Sequence, residues 1–330
     1  MDWFWTVYAF VIGLCIGSFL NVVVLRGFSG ESIVLPPSHC PKCDHKLAWY
    51  DNIPVFSYLL LGGKCRYCKE KISIQYPVVE LFTGIIFAGI YYKYSFGLTE
   101  IFNVNILFLW IAAALCIAMT VTDIKEKVIF VIHTYILAVL GLVYNFFNIS
   151  LQNSAKITVW LAGVKLTVYQ SFIYSVLGLV AGFFVLFTIA KIAKFITKKD
   201  CFGDGDAYIL GALGAFFGVS NAIVILILSI FIWGGLSIPV FLYKWFKNKE
   251  YKLLSGMLLF IITTALFLTG EYLNIFTSDM FRWFTYILVA SIGLYCCRLI
   301  IASIKNNDKP AVIPYGPALI FGAFVVMFLL

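Results

Sequence analysis

The sequence predicts an all-α protein that crosses a membrane about ten times, and three observations indicate this fold class. Hydrophobic residues make up 62% of the 330 residues, and the mean hydropathy is +0.97. Charged residues make up only 12%, which is about half the share in an average soluble domain. The apolar residues also fall in blocks near the ~20 residues that a helix needs to span a bilayer. These observations argue against a soluble fold.

The apolar blocks define the predicted helices. Continuous apolar runs favour helices over a membrane β-barrel, because a helix satisfies its backbone hydrogen bonds within its own segment. The first block follows Asp2 and lacks a basic start and a small-residue cleavage site, so we interpret it as a retained helix and not a signal peptide. The predicted spans are 3–25, 77–92, 102–122, 128–147, 169–190, 207–218, 222–243, 253–270, 283–303 and 311–330.

Positive charges orient these predicted spans. If the segment after the first span is cytoplasmic, the 24 Lys and Arg all lie on or beside cytoplasmic segments except Lys93, Lys156, Lys165 and Arg282. This distribution follows the positive-inside rule. The net charge of +8 is therefore explained by orientation and contact with membrane lipid, and we expect no nucleic-acid partner. Both termini are predicted to be extracytoplasmic.

The longest polar segment, residues 27–76, is predicted to be a cytoplasmic loop that binds zinc. It holds two C-x-x-C pairs separated by 21 residues, formed by Cys40, Cys43, Cys65 and Cys68. Two ligands on each of two tight turns can close a tetrahedron around Zn²⁺. Basic residues nearby would offset the charge of four thiolates and lower the thiol pKa. Four cysteines leave no open coordination position, which favours a structural site over a catalytic one.

The cysteine loop has other interpretations. The four cysteines could form two disulfides or remain inert thiols, although a reducing cytoplasm disfavours disulfides. His39 and His45 lie in the same loop and could replace a cysteine ligand.

Two acidic residues at the ends of predicted spans indicate a catalytic site. Asp123 ends the third span and Asp206 opens the sixth, and the charge-derived orientation puts both on the cytoplasmic side. Carboxylates in membrane segments usually have a function. Two adjacent carboxyl groups do not both ionise readily, so one can keep a proton while the other activates water, as in aspartic proteases. Gly203 and Gly205 flank Asp204 and would let the backbone approach an extended peptide substrate.

These acidic residues also have less specific interpretations. Asp123 could belong to a solvated turn, and Asp204 with Asp206 could coordinate Ca²⁺ or Mg²⁺. Intramembrane acids and glycine breaks also suit an ion or solute transporter with a structural zinc domain. Transporter acids tend to lie at the bilayer midplane, whereas Asp123 and Asp206 are predicted to lie at one face.

Several short motifs together resemble the bacterial prepilin peptidases, the bifunctional leader peptidases and N-methyltransferases of type IV pili and type II secretion. The resemblance covers nearly the whole chain. The matching stretches are Gly17-Ser-Phe-Leu-Asn21-Val-Val, the two C-x-x-C pairs, Trp49-Tyr-Asp51-Asn-Ile-Pro54, Tyr76-Pro-Val-Val-Glu80, Asp123, Gly203-Asp-Gly-Asp206 and Ile313-Pro-Tyr-Gly-Pro317.

The resemblance implies a GxGD aspartic peptidase of the bacterial cytoplasmic membrane, with Asp123 and Asp206 as its catalytic pair. Its substrates would be prepilin or pseudopilin proteins, cleaved after a glycine where the basic leader meets the apolar helix. The resemblance also implies methylation of the new N-terminus with S-adenosylmethionine. Glu80 and Asp51 lie in motifs associated with methylation and are implied to contact this cofactor.

These expectations divide the chain into two predicted domains. Residues 1–100 form the methyltransferase-associated domain with the zinc loop, and residues 101–330 form the peptidase domain. Residues 244–309 depart from the family pattern and are predicted to add a helical hairpin. An intramembrane peptidase without methyltransferase activity is an alternative, although archaeal-type relatives of that kind lack the cysteine loop.

Overall fold

The computed structural model describes most of the chain, namely residues 2–30, 32, 34–35, 37–95, 103–147, 156–161, 164–198, 203–272, 279–306 and 314–329. Ile313 of the last sequence motif and parts of 244–309 lie outside these residues.

Helices dominate the described residues, as the apolar blocks predict. A short 3₁₀ turn at Trp49–Asn52 lies in the cysteine loop. The part of the chain that the structure describes forms ten α-helices, namely α1 (Asp2–Ser29), α2 (Phe56–Leu60), α3 (Gln75–Tyr94), α4 (Val104–Glu126), α5 (Val131–Phe146), α6 (Gln170–Thr197), α7 (Asp204–Lys247), α8 (Tyr251–Tyr272), α9 (Asp279–Asn306) and α10 (Gly316–Leu329).

Every predicted span coincides with one of these helices, but the number of membrane crossings stays a prediction. Among the described residues, four helices are long and apolar enough to cross a bilayer, namely α1, α4, α6 and α7. The spans predicted at 207–218 and 222–243 correspond to the two helical parts of α7, which meet at a break in the helix at Gly218. The separation that the sequence indicates there is a kink rather than a loop.

A β-hairpin occupies most of the segment between the predicted spans 128–147 and 169–190. Strands β1 (Lys156–Leu161) and β2 (Val164–Tyr169) pair antiparallel, with Lys156 opposite Tyr169. Both strands alternate polar residues with Val, Ile and Leu, which is a strand pattern that hydropathy averaged over a helix-length window does not reveal.

The described residues form two compact units. Unit 1 comprises residues 1–187, 204–229 and 314–330, and unit 2 comprises residues 188–203 and 230–313. Both predicted domains contribute to unit 1, so a functional division near residue 100 stays a prediction.

The core of unit 1 lies where α4, the first part of α7 and α10 pack together. Met119, Leu213 and Leu319 are completely buried there. Helix α10 is short and uniformly apolar, and most of its residues are buried. Because α4, α7 and α10 share this core, their ends are held in fixed positions relative to each other.

Small residues allow α1 and α3 to pack closely at the other side of unit 1. A Cβ atom at Gly17 would lie 2.7 Å from the Glu80 Cα, and one at Gly13 would lie 2.7 Å from the Gly84 Cα. Such close approach of helix backbones is typical of membrane proteins, in which packing replaces the hydrophobic effect.

The kink in α7 is supported by side chains from neighbouring helices. Gly218 has φ 82° and ψ 168°, a conformation that essentially only glycine adopts. The Asn145 side-chain amide donates to the Ala215 and Phe216 carbonyls at 3.2 and 3.0 Å, and the Ser175 hydroxyl donates to Ala215. The carbonyls freed by the kink are thus satisfied within the protein.

Unit 2 contains the helical pair α8 and α9, within the segment 244–309. The Cys296 thiol donates to the Gly256 carbonyl at 3.2 Å, and a Cβ at Gly293 would lie 3.1 Å from the Phe260 ring. The two helices are therefore in direct contact through small residues.

Candidate active site and metal centre

Asp123 lies in the last turn of α4. The helix ends at Glu126 because Lys127 adopts a left-handed conformation (φ 56°), and its N–H donates to the Asp123 carbonyl. Asp123 is only 5% exposed, although the charged residues that follow it are exposed. The carboxyl group therefore points into the protein and not into a solvated turn. Its Oδ2 is buried and has no hydrogen-bond partner among the described residues.

Asp206 lies in the first turn of α7. The extended residue Gly203 precedes the helix, which begins at Asp204. Asp204 is exposed, whereas Asp206 is 8% exposed. The helix N-terminus carries partial positive charge, which favours a carboxylate at this position.

Gly316, at the start of α10, brings the two carboxyl groups together. Its backbone amide interacts with both Asp123 and Asp206, and the charge of Asp123 acts directly on Asp206. A Cβ atom at residue 316 would lie 2.5 Å from the Asp123 Oδ2. A side chain at residue 316 would therefore displace the Asp123 carboxyl group, and the pair meets around one backbone N–H. The ends of α4, α7 and α10 thus form a single acidic site.

Sequence reasoning assigned no role to Tyr315 and Gly316. The Tyr315 hydroxyl lies 2.5 Å from the Ser229 hydroxyl, which itself donates to the Leu226 carbonyl. The motif Pro314-Tyr315-Gly316-Pro317 is the sequence feature that indicates this position, since Pro and Gly in such a pattern mark a turn or a helix boundary.

The two glycines predicted to contact substrate have different surroundings. Gly203 is exposed and extended, as an edge that meets a peptide would be. At Gly205 a Cβ atom would lie 2.7 Å from the Ile129 side chain. The absence of a side chain at Gly205 therefore permits close packing against the residues that follow α4.

The four predicted metal ligands lie in one cluster. The sulfur atoms of Cys40, Cys43, Cys65 and Cys68 all lie within 4.8 Å of one another, and those of Cys40 and Cys68 are 3.9 Å apart. Tetrahedral Zn–S bonds of about 2.3 Å require sulfur atoms about 3.8 Å apart. The cluster therefore fits a Zn²⁺ ion without rearrangement of its backbone.

The two C-x-x-C turns have the same backbone structure, which supports a metal-binding fold. In the first, the Cys40 N–H donates to the His45 carbonyl, and in the second the Cys65 N–H donates to the Glu70 carbonyl. Asp44 and Lys69, each just after a second cysteine, both adopt positive φ. The His45 ring lies against the Tyr67 ring and so packs between the two turns.

The protein itself stabilises one thiolate of this cluster. Backbone N–H groups of Cys68 and Tyr67 lower the pKa of the Cys65 thiol to about 7. The backbone N–H of Glu70 acts in the same direction on Cys68, but desolvation and the neighbouring sulfurs raise the pKa of the Cys68 thiol to about 11. A bound cation would keep the thiolates ionised at neutral pH, because it competes with protons for the sulfur atoms.

Both carboxylates predicted to contact S-adenosylmethionine form hydrogen bonds within the protein, and their contact with the cofactor stays a prediction. Asp51, whose side chain is 2% exposed, accepts from the Arg66 Nε at 2.7 Å and raises the pKa of that guanidinium. Glu80, which is 6% exposed, accepts the Val55 N–H at 2.7 Å.

The fold and the site together define a helical membrane protein with a buried aspartate pair and a four-cysteine cluster. Family comparison matches the Bacterial Peptidase A24 N-terminal domain over residues 11–94 and the Type IV leader peptidase family over residues 110–238. The chain belongs to this family, the prepilin leader peptidases/N-methyltransferases, since relatives with that name cover most of it.

Three such relatives show the extent of the similarity. The chain is 32% identical over 247 residues to the prepilin leader peptidase/N-methyltransferase of Neisseria gonorrhoeae, covering 67% of this chain and 77% of that one. It is 30% identical over 237 residues to the enzyme of the same name from Vibrio cholerae, covering 69% and 84%. It is also 33% identical to the Myxococcus xanthus enzyme, of which it covers only 55%. No solved structure matches the chain significantly.

Proposed function

We propose that this chain removes the leader from type IV prepilin or pseudopilin proteins and then methylates the new N-terminal amine with S-adenosylmethionine. The observation that carries the proposal is the pair of buried carboxyl groups, Asp123 and Asp206, around the Gly316 amide. Membership of a family named for both activities supports the peptidase and the methyltransferase steps.

In the proposed cleavage, one aspartate is ionised and the other keeps its proton. The ionised carboxylate takes a proton from water, and the resulting hydroxide attacks the scissile carbonyl. The protonated carboxyl donates a hydrogen bond to the developing oxyanion. Proton transfer to the leaving nitrogen then releases the leader and leaves a free amine on the pilin. Gly203 would meet the extended substrate backbone beside the scissile bond.

Localisation follows from the substrate. A prepilin has a basic leader in the cytoplasm and an apolar helix in lipid, so both aspartates must lie near the cytoplasmic face. We propose that the chain resides in the bacterial cytoplasmic membrane in contact with lipid, with residues 27–76 in the cytoplasm. The distribution of Lys and Arg supports this orientation.

The metal has a structural role in this proposal. Cys40, Cys43, Cys65 and Cys68 would hold one Zn²⁺, which cross-links the two halves of the loop. Because four thiolates complete the coordination sphere, the ion would not activate water or bind the substrate.

The decisive experiment follows a purified prepilin by mass spectrometry after incubation with the enzyme. Asp123→Asn and Asp206→Asn should each reduce cleavage by about 10³-fold or more, and the double variant should be no worse, because the pair acts as a unit. Asp204→Asn is the matched control, since Asp204 is adjacent but exposed. Full activity of Asp206→Asn, or loss only in Asp204→Asn, would refute the assignment.

Adding S-adenosylmethionine to the same reaction distinguishes a bifunctional peptidase and methyltransferase from a peptidase alone. The proposed bifunctional enzyme yields a cleaved pilin heavier by one methyl group. A cleaved pilin that stays unmethylated with cofactor in excess would identify a peptidase alone.

A further inference from the structure

Residues 48–56, which we call the bridging segment, follow the first cysteine turn in the chain and contact both the second cysteine turn and helix α3. They contain the 3₁₀ turn at Trp49–Asn52 and a tight turn at Val55. Two buried carboxylates hold this segment, one within it and one on α3. These are Asp51 and Glu80, the residues that the sequence motifs single out and that the proposed cleavage does not use.

Asp51 fastens the bridging segment to the cysteine turn. Its Oδ1 accepts from the Arg66 Nε at 2.7 Å, and its Oδ2 accepts the Ala48 N–H at 3.3 Å. Arg66 lies between Cys65 and Cys68, and its guanidinium also lies 5.1 Å from the centre of the Tyr50 ring. A charge-assisted bond to a nearly inaccessible carboxylate is stronger than an ordinary surface pair.

Glu80 fastens the other end of the segment to the membrane helices. Its Oε2 accepts the Val55 N–H at 2.7 Å, and the Ser18 side chain of α1 hydrogen-bonds the same carboxylate. Close packing of Gly17 against the Glu80 backbone fixes the position of this side chain. The carboxylate therefore links the segment to both α1 and α3.

The turn at Val55 has an unusual backbone conformation. Val55 has φ 60° and ψ −47°, a region that a β-branched residue rarely adopts. Such strain persists only where surrounding contacts impose it. In this turn the Val55 N–H donates its hydrogen bond to the Glu80 carboxylate.

We propose that Asp51 and Glu80 are positioning residues that couple the metal-binding turns to helices α1 and α3, rather than residues that bind the cofactor. The coupling runs from Cys65 and Cys68 through Arg66 and the bridging segment to Glu80. Its consequence for methyl transfer rests on the proposed function, whereas its consequence for the metal loop does not.

A neutral substitution at Glu80 distinguishes a positioning role from a cofactor-binding role. Glu80→Gln keeps an oxygen that can accept the Val55 N–H, but removes the charge that binding of a cationic cofactor group would need. We expect Glu80→Gln to methylate within about threefold of the wild type, and Glu80→Ala to lower kcat by about tenfold or more with an unchanged KM for S-adenosylmethionine. Glu70→Ala is the matched control, because Glu70 is an exposed carboxylate of the same loop.

Zinc release provides a readout that is independent of activity. In the full-length protein, Glu80→Ala, Asp51→Ala and Arg66→Ala should each release Zn²⁺ to a chelating dye about tenfold faster. Trypsin should also cleave residues 37–75 faster in these variants. The double variant Asp51→Ala/Arg66→Ala should release zinc no faster than either single variant, since both remove one interaction.

Prepilin cleavage, measured on the same samples, reports whether each variant is folded. If Glu80→Ala has also lost cleavage, Glu80→Gln and Arg66→Ala decide, because both leave the α1–α3 contact filled. The proposal is wrong if Glu80→Gln is as damaging as Glu80→Ala with a raised KM, or if the Asp51 and Arg66 variants release zinc at the wild-type rate. If the wild type does not methylate at all, the proposed function fails while zinc release still tests the coupling.

Discussion

At the scale of single residues, Gly316 is the position at which even a methyl side chain would disturb the catalytic pair. Its amide faces both carboxyl groups, and there is no room for a side chain beside Asp123. Backbone donors of this kind hold charge without the entropy cost of ordering a side chain. The arrangement explains why three helix ends must meet within a small volume.

We expect Gly316→Ala to lower prepilin cleavage by about 10²-fold, because the added methyl group would displace the Asp123 carboxyl group by about 1 Å. Cleavage kinetics and thermal unfolding in detergent measure the effect. Gly235→Ala is the control, since a Cβ at Gly235 meets nothing within 4 Å. Wild-type activity of Gly316→Ala would show that the dyad does not depend on this contact.

At the scale of elements, the contact between Tyr315 and Ser229 holds the start of α10 against α7. The two hydroxyls lie 2.5 Å apart, and Ser229 is completely buried. Because Gly316 follows Tyr315 directly, this bond orients the amide that faces the aspartates.

Tyr315→Phe should therefore destabilise the protein by about 1 kcal/mol and lower cleavage severalfold. Ser229→Ala should have a similar effect, and the double variant should be no worse than either single one. Measuring the thermal unfolding and the cleavage rate of all three variants completes this double-mutant cycle. Fully additive losses would contradict a direct role for this hydrogen bond.

The cysteine loop is the second element with a testable property. We expect about one Zn²⁺ per chain, and its loss in the variant Cys40→Ser with Cys65→Ser. Lowering the pH should release the ion, because protons compete with it for the thiolates. Because the pKa of the Cys65 thiol is about 7 and that of the Cys68 thiol about 11, Cys65 stays ionised to a lower pH than Cys68.

Metal analysis at several pH values, together with proteolysis of the loop, tests this prediction. The helices should remain folded after zinc removal, since their core does not include the cysteine turns. Absence of zinc from carefully purified protein, or retention in the double variant, would refute it.

At the scale of the whole molecule, the distribution of charge predicts the orientation. Tags at both termini should react with membrane-impermeant reagents from the extracytoplasmic side, whereas residues 37–75 should be protected in intact cells. This outcome follows from the positive-inside rule. A cytoplasmic C-terminus would show that the number of crossings is odd, and would require a revised path for α7 to α10.

Much of this molecule follows from the sequence alone, because its strongest signals are local. The apolar blocks predict the helices, since bilayer thickness sets their length. The spacing of Cys40, Cys43, Cys65 and Cys68 predicts a cluster that the structure confirms. Asp123 and Asp206 stand out because acids at membrane helix ends are costly and therefore rare.

The contacts between distant residues, in contrast, are determined only by the tertiary structure. The Gly316 amide faces both carboxyl groups, and Asp51 and Glu80 accept hydrogen bonds from Arg66 and Val55. Each of these contacts joins residues that are far apart in the chain. The kink between the two predicted spans of α7 likewise depends on hydrogen bonds from Asn145 and Ser175, which lie on other helices. Composition and spacing determine which segments enter the membrane, whereas the directions of individual donors and acceptors are determined only when the helices pack against each other.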